Sequence, residues 1–266
     1  MQIDLRDKVA IVTGAGRGIG RQICLTLARE GVITVALDVT TEALAEVTGQ
    51  LLAIDPRSRS YPCDVRDAAR IGEIVAELDA SLGRIDLLVN NAGVVDSGPI
   101  DTVDEARWDF VQDVNVKGTF LMCRAVIPVM KRQRSGRIIN AASFAAIVPR
   151  VGGVTYAASK AAVAHLTRGL AGELGPWDIT VNAYAPGMIP TSMNHFTELP
   201  QPEQDALLDT LTLHRWGSAD DIGDLICFLA SDRAAYITGS LIDISGGKLA
   251  TQLPREAYEL AAAENG

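Results

Sequence analysis

Seven short apolar runs punctuate this chain: Lys8 to Thr13, Ile33 to Asp38, Ser60 to Val65, Asp86 to Asn91, Arg137 to Ala142, Ile179 to Tyr184 and Leu241 to Ile244. Between them lie longer stretches with apolar residues at helical spacing, among them Gly18 to Gly31, Thr41 to Ala53, Ala68 to Leu82, Glu105 to Met130 and Tyr156 to Leu174. Continuous apolar runs fit strands covered on both faces, and parallel neighbours need a crossover long enough to hold a helix. The alternation therefore predicts an α/β fold, a doubly wound parallel sheet of about seven strands with helices on both faces. In such sheets ligands bind beyond the carboxyl ends of the strands, which is where chemistry-bearing residues should be sought.

No Pro/Gly/Ser-rich linker divides the 266 residues, so one domain is expected over 1–250, with 251–266 as a C-terminal extension. A formal net charge of -9 excludes the basic footprint of a nucleic-acid binder. No run of eighteen or so apolar residues predicts a membrane span, and a soluble cytoplasmic chain is expected. Cys24, Cys63, Cys123 and Cys227 are scattered, without the close pairs of a zinc or redox site, and His165, His195 and His214 lie far apart. No metal is expected.

Thr13 to Gly20 reads TGAGRGIG, directly after the first run and opening the first helix. Gly14, Gly18 and Gly20 allow a tight turn and close approach of a pyrophosphate, which the N–H groups of Ile19 and its neighbours and the helix N-terminus would meet. A glycine-rich turn without a ligand is the other reading, since the spacing differs from GxGxxG. Asp38 ends the second run, eighteen residues beyond Gly20, where a carboxylate can accept both adenosine ribose hydroxyls and repel a 2′-phosphate. Arg17 favours the phosphate, but Asp38 stands nearer the distinguishing hydroxyl, and NAD is the expected cofactor. Asp64 and Val65 after the third run, and Asn91, Ala92 and Gly93 after the fourth, fit the same ligand; each alone is equally a turn or a helix cap.

Tyr156 and Lys160 in YAASK share one helix face, a turn apart. An ammonium about 4 Å from a phenol, at an effective dielectric of ~20, favours phenolate by roughly 4 kcal/mol, which would bring the tyrosine close to neutrality. Such a pair is also common on surfaces. Ser143 shifts the balance, because it follows the fifth run and its hydroxyl can point at a substrate oxygen; a turn cap is its alternative.

TGAGRGIG, NNAG, Ser143 thirteen residues before Tyr156, YAASK and Pro186-Gly187 together resemble the short-chain dehydrogenase/reductases, over about Leu5 to Lys248. The resemblance implies a Rossmann-type sheet, a Ser143 that polarises the substrate oxygen, a Tyr156 that is general acid and base, and a Lys160 that lowers the tyrosine pKa while binding the nicotinamide ribose. It implies that Asn115 completes a tetrad by holding a water; a buried Asn in a helix can also anchor backbone near a kink. Pro186 to Thr191 resembles the family's carboxamide grip, with Gly187, the backbone of Ile189 and the Thr191 hydroxyl as contacts. Ser245 departs from the acidic or asparagine residue more usual there. A homotetramer is implied, with the Ala-rich Ala157 to Leu174 stretch suited to close packing.

The connection 188–215 looks like a substrate lid. Met188 and Met193, with Val95 and Phe144 near the site, suggest a largely apolar ketone or secondary alcohol, although Leu207, Leu208 and Leu211 have the spacing of core-facing residues. The expected activity is NAD(H)-dependent interconversion of a secondary alcohol and a ketone. An NADPH-dependent 3-oxoacyl thioester reductase would share every motif. A non-catalytic dinucleotide sensor is disfavoured by the intact Ser143, Tyr156 and Lys160, and a cofactor-free lyase or dehalogenase by the intact loop and lysine.

Overall fold

The computed structural model describes residues 3–191, 194, 196–248 and 250–264. In chain order the elements are β1 (Val9–Thr13), α1 (Gly18–Arg29), β2 (Ile33–Asp38), α2 (Thr41–Ile54), β3 (Arg59–Pro62), α3 (Ala68–Leu82), β4 (Leu87–Asn90), α4 (Glu105–Gln112), α5 (Gly118–Gln133), β5 (Gly136–Ala141), α6 (Val154–Leu174), β6 (Ile179–Pro186), α7 (Gln201–Leu208), α8 (Ala219–Ala230), β7 (Leu241–Ile244) and α9 (Arg255–Glu264). The seven strands form one parallel sheet in the order β3-β2-β1-β4-β5-β6-β7. Val12 lies opposite Ala36 of β2 on one side and Val89 of β4 on the other. The chain winds outward from β1 to β3, then crosses back to β4, so a crevice opens at the carboxyl ends of β1 and β4.

Side chains of successive strand residues go to opposite faces, which is why the runs are apolar throughout. Ala10 and Val12 pack with Ile23 and Leu27 of α1 and Ile222 and Ile226 of α8, whereas Val9 and Ile11 pack with Ile71 and Leu78 of α3 and Val126 of α5. Each such fully buried aliphatic side chain contributes about 1.5–3 kcal/mol. Ser218 and Asp221 start α8 with reciprocal hydrogen bonds, a capping box.

Most boundaries fall within two residues of the sequence expectation, and two differ by more. β3 covers Arg59–Pro62 rather than running to Val65; Cys63 N still donates to Asp38 O at 2.7 Å, but the chain then turns into α3, which Asp67 caps. The single helix expected from Glu105 to Met130 is interrupted by a π-helical turn, Asp113–Lys117, that widens the helix around Asn115. Among the described residues no helix is long and apolar enough to cross a membrane.

Candidate active site

Gly14 turns the chain off β1 with φ +63°, and a Cβ there would come within 2.8 Å of Ala92 Cα. The two loops are tied together: Asn91 N and Ala92 N donate to Thr13 Oγ1 at 3.1 and 3.0 Å, and Asn91 Nδ2 donates to the carbonyls of Thr13 and Gly14 at 3.0 and 3.1 Å. α1 begins without a side-chain cap, which leaves its first N–H groups available to an anion. At the end of β2, Asp38 accepts Gly16 N on Oδ2 and Val39 N on Oδ1, both at 2.8 Å. Each oxygen keeps a lone pair for a further donor.

These strand ends line one cavity of about 400 Å³, within the size range of small-molecule sites. Every cofactor-side residue expected from the sequence lines it except Gly187 and Ile189. Gly187 N donates to Ile244 O at 3.2 Å. Ile189 N donates to Gly187 O at 3.2 Å, its carbonyl accepts Asn194 Nδ2 at 2.7 Å, and its side chain is buried in the core. The Ile189 backbone is therefore already engaged, and Thr191 is the part of that segment that reaches the cavity wall. Asp64 is held by Arg66, whose Nη2 lies at 2.6 Å and whose pull keeps the carboxyl below its usual range; Arg66 itself stacks over the Phe110 ring at 5.1 Å.

α6 delivers Tyr156 and Lys160 to the cavity wall, and Ser143, which follows β5, stands outside that lining but within hydrogen-bond reach of Tyr156. Ser143 caps the short turn Phe144–Ala146, its Oγ accepting Ala145 N at 3.1 Å. Lys160 is only 4% exposed; its Nζ donates to Ala141 O at 2.8 Å and lies 5.7 Å from the centre of the Tyr156 ring. Burial lowers its pKa to about 8. Burial also raises the Tyr156 phenol above its ordinary value, and a hydrogen bond with Ser143 pulls it back only in part. The spacing argument counted the cation alone; burial acts in the opposite direction, and the ammonium, 5.7 Å from the ring centre, hydrogen-bonds the Ala141 carbonyl. The phenol keeps its proton at neutral pH in this state.

Asn115 is fully buried in the π-helical turn. Its Oδ1 accepts Val94 N at 2.8 Å, and its Nδ2 donates to Val94 O at 3.0 Å and Ser159 Oγ at 2.9 Å. Both amide hydrogens are thus spent on protein acceptors, and the anchoring reading accounts for every contact of this side chain.

The described residues expected to contact substrate do not line this cavity: Phe144 stands half-buried next to Ser143 in the chain, Val95 is 40% exposed, and Met188 is buried with its carbonyl accepting Gly217 N at 3.0 Å. Met193 lies outside the described residues. Leu211 is buried, whereas Leu207 and Leu208 of α7 are half-buried. The C-terminal extension packs on this segment: Tyr258 Oη donates to Thr212 O at 2.8 Å, Arg255 pairs with Asp209 at 3.3 Å, and the His214 ring lies 5.0 Å from that of Tyr258.

Tyr184 was not singled out from the sequence. It is buried in β6, lines the cavity, and donates from Oη to Asn91 Oδ1 at 3.0 Å, bracing the loop after β4. Its place two residues before Pro186, at a strand's carboxyl end, was the available signal. Lys248 was also missed; its Nζ sits 5.4 Å from the centre of the Phe144 ring. All four cysteines are free and buried, with Cys63 pushed up to about 11, so none is a poised thiolate. Among the described residues no three His, Cys, Asp or Glu side chains gather as metal ligands.

Residues 8–201 match the family model described as short chain dehydrogenase. A 3-oxoacyl-(acyl-carrier-protein) reductase FabG of Thermotoga maritima is 38% identical over 91% of this chain and 98% of its own. A putative short-chain alcohol dehydrogenase from Sinorhizobium meliloti 1021 superimposes with a TM-score of 0.89 at 37% identity, covering 94% of this chain and 99% of that one. An NAD+-bound xylitol dehydrogenase does so with a TM-score of 0.87 at 30% identity, covering 91% and 99%.

Proposed function

The chain belongs to the short-chain dehydrogenase/reductase family of oxidoreductases, and from that premise we propose that it interconverts a secondary alcohol and a ketone with NAD(H), using Ser143, Tyr156 and Lys160. The observation that carries the proposal is the Lys160 ammonium: buried, held by one carbonyl at 2.8 Å, and lining the cavity beside a phenol bonded to Ser143. A buried charge with a single acceptor is costly unless further acceptors arrive, and the hydroxyls of a nicotinamide ribose supply them. When bound, the nicotinamide ring accepts or delivers the hydride.

The chain's own residues handle the oxygen and its proton. Ser143 orients the substrate oxygen. In reduction the protonated Tyr156 donates its proton to that oxygen, and in oxidation the phenolate removes it. Lys160 stabilises the phenolate once ribose and substrate exclude water around it. Asn115 positions the Val94 backbone, and with it the loop after β4, rather than touching reacting atoms. The segment 188–215 serves as lid, with Val95, Phe144 and Met188 around the substrate, and the alanine-lined outer face of α6 suits a homotetramer.

Asp38 decides the cofactor. Both its oxygens are oriented by backbone N–H groups at 2.8 Å, ready to accept ribose hydroxyls, and its charge opposes a 2′-phosphate. A second reading, a 3-oxoacyl thioester reductase using NADPH, is favoured by the similarity to the Thermotoga maritima enzyme. Both are tested by assaying NADH and NADPH against neutral cyclic ketones, hydroxysteroid ketones and oxoacyl thioesters. NADH is expected to win by at least tenfold in kcat/KM, and Asp38→Ser to narrow the gap. A wild-type preference for NADPH overturns the cofactor assignment and favours the second reading.

A further inference from the structure

The turn after β7 carries a cation that the chemistry above does not use. Gly246 and Gly247 both adopt left-handed φ, +69° and +79°, so the chain reverses within two residues, and Lys248 N donates to Ser245 Oγ at 3.2 Å. The reversal is clamped from the lid segment: Leu213 N donates to Gly246 O at 3.0 Å and Thr212 Oγ1 to Gly247 O at 2.7 Å. The result is that Lys248, half-buried, holds its ammonium over the face of Phe144, the residue next to Ser143.

Lys248 is not neutralised. Burial opposes its charge first, and the positive charge of Arg150, in the exposed loop between Ser143 and α6, opposes it second. Asp96, in the loop after β4 that meets this one through Gly98 N and Gly152 O at 2.7 Å, is already paired with Arg107 at 2.8 Å. Among the described residues no carboxylate pairs with Lys248 or Arg150. In a chain of net charge -9, two cations without a carboxylate partner, one of them over the ring that follows Ser143, make a local positive field that attracts anions.

We propose that Lys248, supported by Arg150, is a specificity-determining residue that binds an anionic group, carboxylate or phosphate, on the ketone or alcohol substrate. The inference rests on the dehydrogenase reading above and narrows its substrate: an apolar body lies against Phe144 and Met188, and an anionic end reaches the ammonium. Phe144 shields one side of the ammonium from water, which strengthens its attraction for an anion relative to that of a fully solvated lysine.

Matched substrates test it. One pair is a 3-oxo carboxylate and its methyl ester; the other is an oxoacyl thioester of coenzyme A and of N-acetylcysteamine. Each is followed by NADH oxidation in wild type, Lys248→Met and Arg150→Gln, alongside a neutral cyclic ketone. Wild type is expected to prefer the anionic member of one pair by at least tenfold in kcat/KM, mostly through KM, and the responding pair tells carboxylate from phosphate. Lys248→Met should erase that preference and Arg150→Gln reduce it about threefold, while added salt compresses it in wild type. Equal rates within both pairs, or an equal loss on both members in Lys248→Met, overturn the proposal while turnover of the neutral ketone leaves the dehydrogenase reading standing. Failure to reduce any ketone with either cofactor overturns that reading and this one together.

Discussion

On the β1–β4 side of the crevice neighbouring strand ends hold one another: Thr13, Gly14, Asn91 and Ala92 exchange four hydrogen bonds of 3.0–3.1 Å, and Gly16 and Val39 orient Asp38. On the β6–β7 side the wall is assembled from segments far apart in the chain, with Thr212 against Gly247, Tyr258 against Thr212 and Lys248 against Phe144. The first side presents backbone groups in fixed directions, which suits a ligand whose shape never varies. The second side presents side chains on loops, which can change with the substrate while the sheet stays as it is. Ser143, Tyr156 and Lys160 stand where the two sides meet, so substitutions there should remove turnover without loosening either wall.

The largest expected effect belongs to Tyr156→Phe. Loss of the proton donor should lower kcat by about a thousandfold, within the range for a general acid–base group, while NADH affinity, read by fluorescence titration, stays within threefold. Turnover surviving in this variant would break the comparison, because the chemistry would then lie within one of the walls.

Lys160→Met sharpens it by separating function from stability. The wild-type ammonium has its pKa lowered from 10.5 to about 8 by burial, so charging it in the fold costs about 3 kcal/mol. Losing the hydrogen bond to Ala141 returns about 1 kcal/mol, leaving a net gain of about 2 kcal/mol for the variant at pH 7. The unfolded chain binds this proton more tightly, so the lysine's cost is fully present below pH about 8 and disappears as pH rises towards 10.5. Denaturant melts should therefore show the variant more stable at pH 7 and the difference shrinking by pH 10, with kcat down at least a hundredfold. A variant less stable at pH 7 would mean that the ammonium is better solvated than its burial implies.

The same contrast explains how much was legible in the sequence. The β1–β4 side is written in two contiguous stretches, TGAGRGIG and NNAG, with Asp38 at the end of the second run between them, so the sequence already pointed to Gly14, Gly20, Asp38 and Asn91, which line one cavity. The seven runs gave the sheet because each strand is apolar on both faces. Long-range packing hid the rest. The π-helical turn at Asn115 follows from hydrogen bonds to Val94 and Ser159, twenty-one and forty-four residues away, and no local pattern announces such partners. The raised phenol pKa of Tyr156 likewise depends on how deeply α6 is buried, which the i,i+4 spacing of Tyr156 and Lys160 does not contain. Lys248 reaches Phe144 only because two glycines reverse the chain and Thr212 and Leu213 clamp them.

The smallest expected effect probes the outermost part of the substrate wall. The C-terminal helix α9 touches the 188–215 segment through Tyr258 Oη and Thr212 O, and through Arg255 and Asp209, all at partly exposed sites where a hydrogen bond contributes about 1 kcal/mol or less. Tyr258→Phe keeps the ring beside His214 and removes only the bond. The KM for substrate should rise two- to threefold, with kcat and NADH affinity unchanged, because the proposed lid loses one of the ties that hold Thr212 on Gly247, the turn that carries Lys248 to Phe144. A fall in kcat alongside KM would instead show that this tie governs a closing motion that limits turnover. An unchanged KM would show that the buried Leu211, the Thr212–Gly247 and Leu213–Gly246 bonds and the Arg255–Asp209 pair hold the segment without Tyr258.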